Sequence, residues 1–473
     1  MNENLKRGDG VESIEITDIN SEGMGVGRIG ERVVFIEGGL PGDICNLKIN
    51  KIKKGILHAE IALMVRPSVF RTDSSCGHFG VCGGCQWQNL DYNAQLHFKQ
   101  NQILQVFKRI AKSETGEVLP ILGCEEKYFY RNKLDFAFSN KKWLTKEEIE
   151  GLEEFPFRNG LGFHKAGAFD KVLDIRECHL QAAPSNEIRN EVRKFVEEKG
   201  WSFFDIRKQE GFLRSLIIRN TTGGDWMVIF SFFNEDKEKI ESLLGYVRDK
   251  FQMITSLLYV INSKGNDTIF DLPVQCFHGR PYIEEQMGYL RFRIGPKSFY
   301  QTNSRQALKL YEVVKSLAGL VGTERVYDLY TGAGTIAQFI SRGASAVIGV
   351  ELVKDAIEDA KENARLNQIE NCSFFAGNMA EVLSDGFLKL NGKPDVIIAD
   401  PPRAGMDVTV VKKLLQIQAE KIVYVSCNPA SQARDVALLS EKYNVEKMQA
   451  VDMFPQTLHI ENVALLRLRS GLR

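Results

Sequence analysis

The chain has 473 residues, of which 44% are hydrophobic and 26% are charged. This composition suits a globular protein of two or three domains. Basic and acidic residues both number 61, so the zero net charge excludes a strongly basic chain but not a local basic face. The sequence has no apolar signal region and no run near the roughly 18 residues that span a membrane. We therefore expect a cytoplasmic protein, whose nine cysteines are metal ligands, catalysts or core residues rather than disulfides.

Residues 8–67 contain short alternating strands separated by glycine-rich breaks at 21–30 and 37–43. Short strands at close spacing predict a small, OB-like β-barrel, which we place in residues 1–68. A basic run within it is consistent with either a solvated edge or an RNA contact. Its members are Lys48, Lys51, Lys53 and Lys54.

Residues 69–289 begin with a stretch rich in cysteine and glycine, followed by a predicted helix at 92–111. Strand-like runs then alternate with polar helices, which predicts a mixed α+β domain. Basic residues beside aromatic ones at Tyr130–Lys133 and Phe212–Arg214 suggest RNA contact. The alternative is surface charge beside core aromatic residues.

Four cysteines of this region form a candidate metal site, three of them closely spaced among glycines. They are Cys76, Cys82, Cys85 and Cys178. Such thiols can hold an iron–sulfur cluster or a structural zinc ion. Because His78 and His179 are further possible ligands, the residues alone leave both metals open.

Residues 290–473 alternate apolar strands with helices, which predicts a doubly wound parallel sheet. One strand leads into a loop with Gly332 and Gly334, and the next strand ends at Glu351. Glycines let the backbone approach a ligand, and a carboxylate at this position can bind ribose hydroxyls. The loop alone fits a dinucleotide or S-adenosylmethionine.

Two acidic residues favour S-adenosylmethionine over a dinucleotide. Asp328 precedes the glycine loop, where a carboxylate suits a cationic ligand and repels a pyrophosphate. Asp400 begins an Asp-Pro-Pro-Arg segment after a later strand, which resembles the catalytic loop of S-adenosylmethionine enzymes. An arginine, Arg403, replaces the aromatic residue of amine methyltransferases, which argues against an exocyclic amine as acceptor.

A cysteine at the end of the following strand, Cys427, is a candidate nucleophile because that edge of the sheet binds ligands. A thiolate that adds to carbon 6 of uracil activates carbon 5 for methylation. A base must afterwards remove the proton from carbon 5. Glu461 is the candidate base and His459 its rival.

Five segments, in this order, resemble the motifs of the RNA uracil-C5-methyltransferase family. They are residues 298–303, 328–334, 400–405, 426–429 and 459–462. The resemblance implies that Cys427 is the nucleophile and Glu461 the base. It implies cofactor contacts by Gln301, Tyr330, Glu351 and Asp400, with Asn378 near the adenine.

The N-terminal regions resemble one branch of that family. The barrel is similar to a TRAM domain, an RNA-binding module, and the four cysteines are similar to those that hold a [4Fe–4S] cluster. Barrel, cluster and methyltransferase together resemble the branch that modifies 23S ribosomal RNA, whereas the tRNA branch is expected to lack barrel and cluster. The competing hypotheses are a tRNA methyltransferase, a catalytically idle RNA-binding factor, and an NAD enzyme with structural zinc.

Overall fold

The computed structural model describes residues 5–112, 114–150, 158–165 and 167–471. The chain divides into two compact units, each built from two pieces of sequence. The first unit extends to Gln105 and includes Phe454–Ile460. The second unit comprises Val106–Met453 and the residues from Glu461 onward. None of the described helices is both long and apolar enough to cross a membrane.

The first unit contains a closed five-stranded barrel of order β1-β2-β3-β5-β4, which confirms the predicted fold. Its strands are β1 (Gly10–Ile19), β2 (Gly25–Ile29), β3 (Arg32–Glu37), β4 (Ile44–Lys53) and β5 (Ile56–Arg66). Strand β2 lies within residues 21–30, where the glycines predicted a break between strands. A side chain at Gly25 would come within 2.8 Å of the Gly39 carbonyl, so its glycine permits close strand packing rather than a turn. The four lysines of the basic run are all exposed.

The short piece Phe454–Ile460 is held in the first unit by helix α1 (Tyr92–Val106) and the residues before it. Gln95 donates a side-chain hydrogen bond to Oε1 of Gln456 at 2.9 Å. The backbone amides of Gln86 and Trp87 both donate to the Gln456 carbonyl at 3.0 Å. A π-helical turn over Phe107–Ala111 follows α1, so the predicted helix at 92–111 is confirmed over its full length.

The second unit begins with a mixed eight-stranded sheet of order β14-β13-β12-β11-β7-β9-β10-β8. Its strands are β7 (Lys133–Ser139), β8 (Lys142–Trp143), β9 (Gly160–Lys165), β10 (Ala168–Asp174), β11 (Leu213–Asn220), β12 (Trp226–Phe232), β13 (Ile254–Ile261) and β14 (Val274–Gly279). The helices of this region are α2 (Lys146–Glu150), α3 (Ser185–Glu198) and α4 (Lys237–Lys250). An aromatic core that includes Phe136, Phe230 and Phe232 packs on this sheet with the buried residues of α3 and α4.

The hypothesis of RNA contact at Phe212–Arg214 is wrong, because all three residues are buried. Arg214 is only 2% exposed. Its guanidinium donates to the carbonyls of Asn262, Lys264 and Asn266. This arginine therefore fixes a loop, since a buried charge is tolerated only where its donors are satisfied.

A second eight-stranded sheet carries the predicted doubly wound architecture, with order β19-β18-β17-β20-β21-β23-β22-β6. Its strands are β6 (Glu117–Leu122), β17 (Arg325–Leu329), β18 (Ala346–Glu351), β19 (Cys372–Ala376), β20 (Val396–Ala399), β21 (Lys421–Ser426), β22 (Tyr443–Val451) and β23 (Glu461–Leu468). Strand β6 pairs in parallel with β22, although it lies far from the other strands in sequence. Strand β6 lies outside residues 290–473, the range that the sequence predicted for this domain. The boundaries of the three predicted domains remain a prediction.

The remaining elements connect or cover this sheet. A two-stranded hairpin consists of β15 (Ile283–Met287) and β16 (Leu290–Ile294). The helices are α5 (Ser304–Ala318), α6 (Thr335–Ile340), α7 (Lys354–Leu366), α8 (Met379–Val382), α9 (Asp385–Asn391), α10 (Val408–Ile417) and α11 (Pro429–Leu439). Strands β17, β18, β20 and β21 run parallel, so their carboxyl ends meet at one edge. The chain order reverses between β17 and β20, where open α/β sheets bind ligands.

Candidate active site

The loop between β17 and α6 has the tight backbone that the glycines predicted. Tyr330, Gly332 and Gly334 all have positive φ, at 64°, 54° and 74°. A side chain at Gly334 would come within 2.8 Å of the Phe374 ring, so this glycine is required by packing as well as by conformation. Tyr330 is not a glycine, and its left-handed backbone is the kind of strain that concentrates at functional sites.

Glu351, at the end of β18, closes this loop from the neighbouring strand. Its Oε2 accepts from the backbone amide of Gly332 at 3.2 Å, and its Oε1 accepts from that of Val353 at 3.0 Å. A carboxylate oxygen has more than one acceptor position, so Glu351 can also accept from a ligand's hydroxyls. The predicted ribose position is therefore formed by two adjacent parallel strands.

Asp328 is buried at the end of β17 and is only 1% exposed. Its Oδ2 accepts from the backbone amide of Ala337 at 3.1 Å and from the Thr331 hydroxyl. Its Oδ1 is buried and has no hydrogen-bond partner within the part of the chain that the structure describes. Burial raises the pKa of Asp328 to about 7, and the charge of Glu351 adds to the increase.

Asp400 follows β20, on the other side of the switch point from β17 and Asp328. Its backbone amide donates to the Leu329 carbonyl at 3.3 Å, which joins the two strand ends. Burial, followed by the charge of Asp328, raises the pKa of Asp400 to about 7. Two carboxylates with raised pKa values and an unpaired buried oxygen fit a cationic ligand, because a positive charge favours their ionised forms. S-adenosylmethionine, with its sulfonium and amine groups, is such a ligand.

The candidate nucleophile and base lie at the ends of two paired antiparallel strands. Ser426 of β21 pairs with Asn462 of β23, so Cys427 and Glu461 are the next residues at the same end. Burial, followed by the charges of Glu461 and Asp400, raises the pKa of Cys427 to about 11. Glu461 is 5% exposed, and burial together with Asp400 raises its pKa well above the usual value.

Arg403 is the cation that opposes these negative charges. It lowers the pKa of Cys427 through its charge and through a side-chain hydrogen bond to the thiol, and it lowers that of Glu461 through its charge. From the sequence, Arg403 only argued against an amine acceptor, and its contact with Cys427 was not predicted. The sequence signal for this contact was the position of the arginine just after the two prolines that follow β20, since a residue there lies at the same edge of the sheet.

Asn428 joins the loop after β20 to the start of α11, and this connection was not predicted from the sequence either. It caps α11, since its Oδ1 accepts from the backbone amide of Ala430 at 3.1 Å. Its Nδ2 donates to the Arg403 carbonyl at 3.0 Å, and Ser431 donates to the same carbonyl at 3.1 Å. An asparagine directly before a proline is a typical helix start. The helix cap could therefore have been predicted from the sequence, but the hydrogen bond to the Arg403 carbonyl could not.

Three further residues were predicted for the site from the sequence: Gln301, Asn378 and His459. Gln301 lies in the loop between β16 and α5, within the same unit as Cys427. Asn378 caps the short helix α8, and its Oδ1 accepts from the Ala380 amide at 3.0 Å. His459, the rival base, belongs to the first unit, whereas Glu461 belongs to the second.

The four candidate metal ligands are all partly buried cysteines. Cys76, Cys82 and Cys85 belong to the first unit and Cys178 to the second. Over the described ranges, no three or more His, Cys, Asp or Glu side chains are arranged to hold a metal ion.

The sheet order, the glycine loop and the carboxylates at the switch point define the class of the protein, a class I S-adenosylmethionine-dependent methyltransferase. Comparison with known families specifies it further. Residues 280–469 match the tRNA (Uracil-5-)-methyltransferase family, and residues 11–62 match the TRAM domain. An RNA methyltransferase of Porphyromonas gingivalis is 50% identical, over 96% of this chain and 99% of that protein. The chain belongs to the RNA uracil-C5-methyltransferase family.

A solved structure supports the same conclusion. The tRNA (uracil-54, C5)-methyltransferase of Pyrococcus abyssi, in complex with S-adenosyl-L-homocysteine, is 30% identical with a TM-score of 0.72. It covers 96% of this chain and 99% of its own, so the overlap includes most of the N-terminal barrel. The expectation that tRNA enzymes of this family lack the barrel is therefore wrong, and the barrel does not distinguish the two kinds of substrate.

Binding of S-adenosylmethionine should release protons near pH 7. Asp328 and Asp400 have pKa values of about 7, and a bound cation lowers them. Affinity should therefore rise from pH 6 to pH 8, by up to about tenfold per unit for one released proton. Calorimetry in buffers of different ionisation heat measures the release.

Two variants complete this test. Asp328→Asn should weaken binding by roughly 10-fold or more, because a charged hydrogen bond contributes about 1–3 kcal/mol, and should reduce the proton release. Asp385→Asn, at an exposed position on α9, should behave as the wild type. A wild-type affinity that does not change between pH 6 and pH 8 would contradict the assignment.

Proposed function

We propose that the protein transfers a methyl group from S-adenosylmethionine to carbon 5 of a uracil in 23S ribosomal RNA, with Cys427 as nucleophile and Glu461 as base. The observation that carries this proposal is the placement of Cys427 and Glu461 at the ends of paired strands, beside Asp400 at the cofactor edge. An RNA substrate also favours the cytoplasm as the site of action.

The reaction needs a thiolate because carbon 5 of uracil is a poor nucleophile. The sulfur of Cys427 forms a bond to carbon 6, and the electron pair of the 5,6 double bond moves into an enolate. Carbon 5 then takes the methyl group of the sulfonium, which leaves S-adenosylhomocysteine. Glu461 removes the remaining proton from carbon 5, the double bond re-forms, and the carbon–sulfur bond breaks to release the thiolate.

The electrostatics of the site support these roles. With a pKa of about 11, Cys427 is mostly protonated at neutral pH, and a thiol is a weak nucleophile. Arg403 already favours the thiolate, and a cationic cofactor beside Asp400 would favour it further. The raised pKa of Glu461 makes this carboxylate a stronger base for a carbon-bound proton.

Replacement of the base should trap the covalent intermediate. In Glu461→Gln the adduct keeps its proton on carbon 5, so the thiol cannot leave and a protein–RNA species should persist on denaturing gels. The double variant Cys427→Ala/Glu461→Gln is the matched control and should trap nothing. Normal turnover by Glu461→Gln without trapped RNA would instead favour His459 or water as base.

The choice of 23S ribosomal RNA rests on the resemblance of the cysteine-bearing N-terminal regions, and tRNA is the alternative that the Pyrococcus abyssi enzyme represents. Purified enzyme should be incubated with each RNA and labelled S-adenosylmethionine, and 5-methyluridine should be mapped by mass spectrometry. We expect methylation of 23S ribosomal RNA at one or two uridines, and little of tRNA. Methylation of tRNA alone would reject the proposed substrate while preserving the chemistry.

We also propose that Cys76, Cys82, Cys85 and Cys178 bind a [4Fe–4S] cluster, with zinc as the alternative. The support is their spacing and one local contact, since the Gly84 amide donates to the Cys82 sulfur at 3.4 Å. Amide donors of this kind stabilise metal-bound thiolates. Several glycines in the loop would allow it to close around metal, as metal binding commonly completes folding.

Anaerobically purified protein should be brown and contain about four irons per chain if this cluster is present. Cys82→Ser and Cys178→Ser should lose the colour, whereas Cys276→Ser, at an exposed cysteine outside the set, should retain it. Metal analysis and visible absorption provide the measurement. One zinc per chain with no iron or sulfide would reject the cluster.

A further inference from the structure

Asn132, which directly precedes β7, connects the central sheet to the loop that carries Gln301. Its Nδ2 donates to the Gln301 carbonyl at 2.9 Å and to the Ser304 hydroxyl at 2.8 Å. Its backbone amide donates to the Thr302 carbonyl at 2.8 Å. Two of these hydrogen bonds hold the main chain at Gln301 and Thr302, and the third holds the Ser304 side chain.

The other side of Asn132 is fixed equally well. Its carbonyl accepts from the Asn220 amide at 3.0 Å, at the end of β11. The residue before it, Arg131, donates its amide to the Leu180 carbonyl at 2.7 Å. Asn132 is thus fixed by main-chain hydrogen bonds at the start of an interior strand of the sheet, so its side chain presents the amide group to the Gln301 loop from a well-defined position.

Burial distinguishes this asparagine from a surface residue that contacts RNA. Asn132 is 7% exposed, and both hydrogens of its amide group are used within the protein. The partly buried Gln301 carbonyl would lose a hydrogen-bond partner if the amide were removed, and an acceptor that loses its partner costs free energy. For Asn132, the earlier hypothesis of RNA contact is therefore replaced by a structural connection.

A second buried side chain holds the start of the same loop. Arg219, on β11, donates from Nη1 to the carbonyls of Gly295 and Ser298, each at 3.0 Å. Burial lowers the pKa of Arg219 to about 10, which still leaves the guanidinium charged at neutral pH. The loop is therefore held at its beginning by Arg219 and at Gln301 by Asn132, both from the central sheet.

We propose that Asn132 is a positioning residue for methyl transfer, which acts by fixing the backbone of Gln301. This proposal rests on the proposed function, and within it on the cofactor contact that the family resemblance implies for Gln301. Asparagine suits the position because its amide group donates two hydrogen bonds from one atom, to a carbonyl and to a hydroxyl. Aspartate has the same shape but places an acceptor where the Gln301 carbonyl needs a donor.

The substitution Asn132→Asp has a matched control in the same sheet. Asn262 is fully buried, and its Nδ2 donates to the carbonyls of Asn266 and Thr268 at 3.0 and 3.4 Å. It therefore holds a different loop by the same chemistry. We expect Asn132→Asp to lower kcat at least tenfold and to weaken binding of S-adenosylhomocysteine, and Asn262→Asp to change either quantity less than twofold.

A double-mutant cycle tests whether Asn132 acts through Gln301. Gln301→Ala alone should reduce kcat. If Asn132 positions Gln301, adding Asn132→Asp to that background should lower kcat less than twofold further. A residue with a merely structural role would instead show the same loss in both backgrounds, and that additive result would overturn the proposal.

Two further outcomes are decisive. If Gln301→Ala leaves kcat and S-adenosylhomocysteine affinity unchanged, both the role of Gln301 and this proposal fail, whereas additivity rejects the proposal alone. Thermal unfolding and circular dichroism verify that each variant is folded. If Asn132→Asp is not folded, Asn132→Ser enters the same cycle, because its short side chain removes both hydrogen bonds without adding a charge.

Discussion

The concentration of buried negative charge at one edge of the sheet is the constraint on which the rest of the site depends. Asp328, Asp400 and Glu461 lie together there with raised pKa values, because burial disfavours their ionised forms. Buried groups with strongly shifted pKa values cluster at functional sites. A cation at this edge lowers all three pKa values at once, which links recognition of the cofactor to the charge state of the base.

The same charge makes the thiol of Cys427 difficult to ionise. Its pKa rises through burial and through Glu461 and Asp400, and Arg403 only partly offsets these effects. A reactive thiolate therefore forms most readily when a further positive charge is present. In the proposed reaction, attack on the uracil is therefore favoured when the methyl donor is already bound, which would limit unproductive adducts with RNA.

Catalytic loops at this edge are held by hydrogen bonds from residues that do no chemistry. Asn428 donates to the carbonyl of Arg403 and so joins the loop after β20 to the start of α11. Asn132 and Arg219 hold the Gln301 loop from the neighbouring sheet. Such support matters because misplacement of a reacting group by even about 1 Å lowers rates considerably.

The sequence by itself determined the parallel sheet, the barrel and the glycine loop, and it indicated Cys427 and Glu461 as candidate nucleophile and base, because alternation of apolar residues and motif order are local properties. Only the tertiary structure revealed that β6 joins a distant sheet, that Arg214 is buried, and that Asn132 supports Gln301. Each of these depends on contacts between residues far apart in the chain. The sequence pattern around an arginine or asparagine is the same whether its donors bind solvent, RNA or a buried carbonyl.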